Sequence, residues 1–221
     1  DSGSTGDSGD TGESTSRTTR SSQSSDTDTS GNTSETSGST TSAAANEWFM
    51  EATGVTITWS DDFSVNTNAE NAQTSDIENG EDRIVLVTTT PDGINVGLSV
   101  TVYMNDGVDS TAIVAGLVDV PDAVTTVYGD AAQVLEYEIT PEESAALILT
   151  EDEVGPYYVY VQVTCITASC DTVALLSVPS EGFPLLDTLD AIDAGIAIND
   201  ISISTAMPRI YIEESVDQYG N

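Results

Sequence analysis

The sequence predicts an α+β fold: a twisted antiparallel sheet flanked by two or three short helices. Three observations lead there. Apolar residues alternate with polar ones at period two in residues 55–59, 96–104 and 135–139, and residues 83–88 and 157–165 are strand-like runs rich in β-branched and aromatic residues. Turn signals rich in Gly, Pro and Asp separate consecutive runs closely enough for hairpins. Apolar residues at helical spacing occur at three places between or after the strands. Should those three helices fail, the same strands would make an all-β sandwich, which is the alternative architecture.

Taken in order, the folded region opens near Asn46, where Trp48, Phe49 and Met50 are the first strongly apolar residues. Val55, Ile57 and Trp59 alternate with Thr56 and Thr58, and Asp61-Asp62 makes the next turn. Residues 83–88 and 96–104 form a hairpin around Pro91-Asp92-Gly93, with Val96, Leu98, Val100, Val102 and Met104 on one face. Asp109 or Ser110 caps a helix bearing Ile113, Val114, Leu117 and Val118, which Pro121 ends. Residues 124–128 read as a strand, and so do residues 135–139, with Glu136 and Glu138 towards solvent. Thr140-Pro141-Glu142-Glu143 has the form of a capping box and predicts a helix over the following SAALIL. Residues 157–165 and 171–178 are an antiparallel pair, and Pro184 begins a helix carrying Leu185, Leu189 and Ile192. ISIS and RIYIE close the chain as two short strands.

Residues 1–45 differ in kind. They are nearly all Ser, Thr, Gly and Asp, with no apolar side chain before Ala43. Such a segment buries too little surface to offset its ordering entropy, so it is expected to be a disordered stalk spanning roughly 35 Å. It carries one glycosylation pattern, Asn32-Thr33-Ser34. Stalks of this kind follow a lipid-modified cysteine or a wall anchor, so membrane attachment is expected only through an inferred N-terminal anchor. The start at Asp1 reads as a processed form or a fragment. Residues 46–221 form a single acidic domain, large enough for one core.

Charge narrows the function. Among 221 residues there are 38 acids, 4 arginines and no lysine or histidine, for a net charge of −34. Seven acids and two arginines up to Ser42 account for −5, so the folded region carries −29. Nucleic acid and anionic lipid are excluded as partners, because each phosphate would meet carboxylates. With no His or Lys there is no Ser-His-Asp triad, no Cys-His dyad, no lysine nucleophile and no ordinary zinc site. Carboxylate pairs, the remaining catalytic option, arise by chance among so many acids. The protein is therefore expected not to be an enzyme and to need no cofactor, with calcium the one ion suited to an oxygen-rich surface. The calcium candidates are the loop 105–109, with Asp106 and Asp109 as ligands, the Asp61-Asp62 turn, and the 119–122 segment. Each also reads as an ordinary turn or helix end. Cys165 and Cys170 flank four residues between two strands and are expected to form a disulfide, which implies an oxidising compartment. Tyr157 faces one side of its strand and Tyr158 and Tyr160 the other. Packing beneath a helix is the preferred reading for this ladder over an exposed sugar-binding surface.

The opening GVTITWSDDFSV, the hairpin RIVLV with VGLSVTVYM, and the closing YYVYVQV with DTVALLSVPSEGF resemble the PsbP-like family of extracytoplasmic domains over residues 48–198. The resemblance implies a twisted antiparallel sheet flanked by helices. It also implies a bacterial surface lipoprotein, and nothing in the chain matches a photosystem-docking residue. The expected function is a non-enzymatic secreted or surface-tethered binding or structural domain. Its partner would be an extracellular or envelope protein or a glycan. The alternative is a calcium- or carbohydrate-binding module.

Overall fold

The computed structural model describes residues 46–105, 112–120, 122–181 and 183–219. The expected stalk, residues 1–45, and the calcium-loop residues Asp106 and Asp109 lie outside them. The fold is α+β, with antiparallel sheets and short helices. In chain order the elements are β1 (Asn46–Met50), β2 (Val55–Trp59), β3 (Phe63–Val65), β4 (Gln73–Asp76), β5 (Glu81–Thr89), β6 (Asn95–Met104), α1 (Ala112–Asp119) and α2 (Ala123–Tyr128). There follow β7 (Gln133–Ile139), β8 (Glu143–Glu151), β9 (Pro156–Cys165), β10 (Thr172–Ser180), α3 (Phe183–Gly195), β11 (Ile196–Ile198), β12 (Ile201–Ser202) and α4 (Arg209–Tyr219).

The main sheet runs β3-β5-β6-β10-β9-β8-β7, with β4 also on β5. A smaller sheet runs β1-β2-β11-β12. Both faces of the main sheet are covered, which explains why its central strands are apolar on both sides. On the first face Leu86, Val100, Leu147, Tyr160 and Leu176 pack with Ile57 of the small sheet, Leu185 and Leu189 of α3 and Ile212 of α4. On the second face Ala146, Ile148, Val159, Val161 and Val173 pack with Val114 of α1, and with Val124 and Tyr128 of α2. Alternation in β6 falls as expected: Val96, Leu98, Val100 and Val102 are buried, while Met104 at the strand end is exposed.

Three segments differ from the sequence expectation. SAALIL is strand β8, not a helix. Its four residues 145–148 are all buried, because a strand between β7 and β9 meets helices or the second sheet on both faces. A continuous apolar run suits either element, and here pairing decides it. The capping-box residues still interact, but as a hairpin turn. Thr140 Oγ1 accepts the Glu143 N–H at 3.0 Å, and the Thr140 N–H donates to the Glu143 carbonyl at 2.9 Å. RIYIE lies in helix α4, not in a strand. Pro208 precedes it, and Ile212, Ser215 and Val216 bury one helical stripe. Residues 124–128 belong to α2. Asp122 stands before them at φ 63°, and its carbonyl accepts both the Thr125 and Thr126 hydroxyls, which holds a β-branched run in a helical turn.

α3 reaches the β2–β3 turn by a close approach at Gly195. The Gly195 carbonyl accepts the Ser60 N–H at 2.8 Å, and a Cβ at 195 would lie 2.5 Å from Ser60 Oγ. That contact brings the N-terminal part of the domain and α3 together around a cleft.

Candidate acidic cleft

A hollow of about 650 Å³ opens between the 61–64 turn, the end of β5 with the turn after it, and α3. Its lining is hydroxylic and apolar at Ser64, Thr88, Thr89 and Thr90 with Phe63, Val87 and Pro91, of which Phe63, Thr88 and Thr90 are buried. Its rim is acidic, with Asp61 and Asp62 on one side and Asp187 and Asp190 on the α3 side. Local bonding fixes the walls. Ser60 Oγ donates to Asp62 at 3.2 Å, Thr90 Oγ1 accepts the Ile94 N–H at 3.2 Å, and Thr188 Oγ1 donates to the Pro184 carbonyl at 2.6 Å. Asp190 pairs with Arg209 at 2.8 Å. Asp61, Asp62 and Asp187 have no cationic partner among the described residues. The arrangement offers oxygen ligands and negative potential to whatever enters, and no nucleophile–base pair.

Behind this wall lies a hydrogen-bonded network. Arg209 also reaches Asp193 at 2.8 Å, and Asp193 accepts the Thr205 N–H and hydroxyl. Tyr160 donates to Gln162 at 2.8 Å and accepts the Met207 N–H, while Gln162 bonds Thr164, the Ser204 carbonyl and the Ala206 N–H. Burial pushes the Tyr160 hydroxyl far above its ordinary range, so it stays protonated. The network fastens the segment before α4 onto the sheet.

A buried acid, Asp82, joins the two sheets. It is 0% exposed and accepts bonds from Ala52 N–H, Thr53 N–H, Thr53 Oγ1 and Ser75 Oγ. The sequence reading passed over Asp82. The signal was there: Asp82, Ile84 and Leu86 share one face of a period-two strand, so an acid sat on the core side.

Of the residues singled out from sequence, Asp61 and Asp62 fall on the cleft. Asp187 and Asp190, 120 or more positions away, complete it and were not singled out. In the 119–122 segment Asp119 ends α1 and Asp122 turns the chain into α2. Among the described residues no three Asp, Glu, Cys or His side chains converge as a metal-ion cage. Cys165 and Cys170 are disulfide-bonded, with Cα atoms 4.9 Å apart at the β9–β10 tip. There Cys170 is at φ 56° and its carbonyl accepts Asn105 Nδ2. Asp171 accepts the Thr167 hydroxyl beside it, which holds its carboxyl below the usual range, with help from Ser169. Tyr158 and Tyr160 pack beneath the helices of the first face, and Tyr157 is half-buried on the second.

No family model matches the chain, and no curated protein matches it. Among solved structures it is similar to the Saccharomyces cerevisiae Ran-binding protein Mog1p. The match is at 13% identity and a TM-score of 0.38, over 66% of this chain and 82% of that one. At that score the likeness carries no argument about this protein.

Proposed function

We propose that this protein is a non-enzymatic, extracytoplasmic binding domain, tethered through its Ser/Thr/Gly/Asp-rich N-terminal segment as a surface lipoprotein, and that the acidic cleft receives a cationic segment of a protein partner. The observation that carries the reading is the cleft rim: three carboxylates without cationic partners among the described residues, around a hydroxyl-lined hollow. A Lys or Arg side chain entering it meets complementary charge at the mouth and hydrogen-bond acceptors in the lining. The Cys165–Cys170 bond supports an oxidising compartment. The absence of His and Lys supports a role in binding over catalysis.

Calorimetric titration with an Arg/Lys-rich peptide, repeated with calcium chloride at matched ionic strength, tests the proposal. Three exposed pairs contribute about 0.2–1 kcal/mol each. The variant D61N/D62N/D187N should therefore bind about threefold to a hundredfold more weakly. Equal affinity of the variant would overturn the cleft assignment. Calcium binding that is lost in the variant while the peptide fails to bind would favour the calcium alternative.

A further inference from the structure

We infer that the outer edge of β7 is a second docking site, which takes an extended peptide of alternating basic and apolar residues as an added strand. Among the described residues β7 is the last strand on its side of the main sheet and is paired only with β8, so its outer row of N–H and C=O groups has no strand partner there. Such a row is a template for strand addition. The two faces of this edge differ in chemistry. Register places Glu136 opposite Leu147 and Glu138 opposite Ala145, on the face covered by α4. It places Tyr137 opposite Ala146 and Ile139 opposite Ser144, on the face covered by α1 and α2. Tyr137 is 54% exposed and Ile139 38%. Side chains of an added strand alternate between the same two faces. One set would lie beside Glu136 and Glu138, the other beside Tyr137 and Ile139.

Charge selects the occupant. Glu143 lies on the same face as Glu138, and burial, then Glu142 and Glu138, hold its carboxyl above the usual range. No arginine of the folded region is on β7 or β8, since Arg83 is on β5 and Arg209 on α4. A second copy pairing edge to edge would set carboxylates against carboxylates, which disfavours self-association. A strand with Lys or Arg at every second position relieves the same repulsion. The site is separate from the acidic cleft, which lies by β3 at the opposite end of the strand order.

Fluorescence anisotropy with a labelled peptide of alternating Lys and Val tests this. The comparison peptides are one of the same composition in two blocks and one of alternating Glu and Val. Hydrogen exchange of residues 133–139 is followed in the same mixtures. The Lys/Val alternating peptide should bind, slow exchange along β7, and bind more weakly in high salt. E136K/E138K should lose about tenfold in affinity for it and gain binding to the Glu/Val peptide, a reversal that misfolding would not produce. These affinities are read in the D61N/D62N/D187N background, which removes the cleft carboxylates, and that background should leave the protection of residues 133–139 unchanged, which separates this site from the cleft. Failure to bind, equal binding of the block peptide, or binding without protection of β7 would each overturn the inference.

Discussion

Replacing Asp82 by alanine should cost about 2–4 kcal/mol of folding stability. The carboxylate accepts the Ala52 N–H at 3.3 Å, the Thr53 N–H at 2.8 Å, the Thr53 hydroxyl at 2.7 Å and the Ser75 hydroxyl. Hydroxyls can turn to other acceptors, but two backbone N–H groups cannot. Each buried donor left without a partner costs about 1–3 kcal/mol. One effect opposes the loss: deleting an acid relieves repulsion in a region of charge −29. Urea unfolding should therefore be measured in about 1 M sodium chloride, where charges beyond about 3 Å are screened. Asp82→Asn keeps one acceptor but presents an amide to other donors, so it should fall between wild type and Asp82→Ala. Ser75→Ala removes one bond and should cost about 1 kcal/mol. A loss below about 1 kcal/mol for Asp82→Ala, at unchanged denaturant slope, would refute the reasoning.

Gly195→Ala should destabilise by about 1–2 kcal/mol, because its Cβ would lie 2.5 Å from Ser60 Oγ and 3.1 Å from Ser60 Cβ. Adding Ser60→Gly should recover much of that loss in a thermal melt. Glu143→Gln should raise the melting temperature at neutral pH and leave it unchanged well below pH 4.5. A carboxyl raised in the folded state favours folding while protonated, and its penalty appears as pH rises above the ordinary 4.5 towards the folded value. A benefit of Glu143→Gln confined to acid pH would reverse the sign and contradict this. The wild-type melting temperature should be clearly higher in about 1 M than in about 0.01 M sodium chloride, where the Debye length falls from about 30 Å to about 3 Å. A midpoint indifferent to salt would mean that the carboxylates are too dispersed to interact.

Much of the sheet was legible from the residue pattern of its strands. β2 and β6 follow period-two runs, β5, β9 and β10 follow runs rich in β-branched and aromatic residues, and the β9–β10 tip carries the disulfide expected there. Local pattern failed where pairing or packing outweighed it. β8 has no alternation because both of its faces are buried, and Thr140–Glu143 bonding serves a turn as readily as a helix start. Ile210 and Ile212 in α4 alternate like a strand, yet only Ile212 reaches the core. β3 has only three residues and β4 is polar, and both exist through their pairing with β5. The cleft was half legible. Asp61-Asp62 stood out as an acidic pair, but Asp187 and Asp190 join it only through the fold-back of α3 at Gly195. Such a contact leaves no mark in local sequence.

The most direct test of the central claim is an amide chemical-shift titration of the domain with an Arg/Lys-rich peptide at about 0.15 M ionic strength, where general attraction beyond about 8 Å is screened. The account predicts saturable shifts concentrated at residues 61–64, 87–91 and 187–191, which D61N/D62N/D187N suppresses. Shifts spread evenly over the acidic surface, or none in those three segments at saturation, would contradict it.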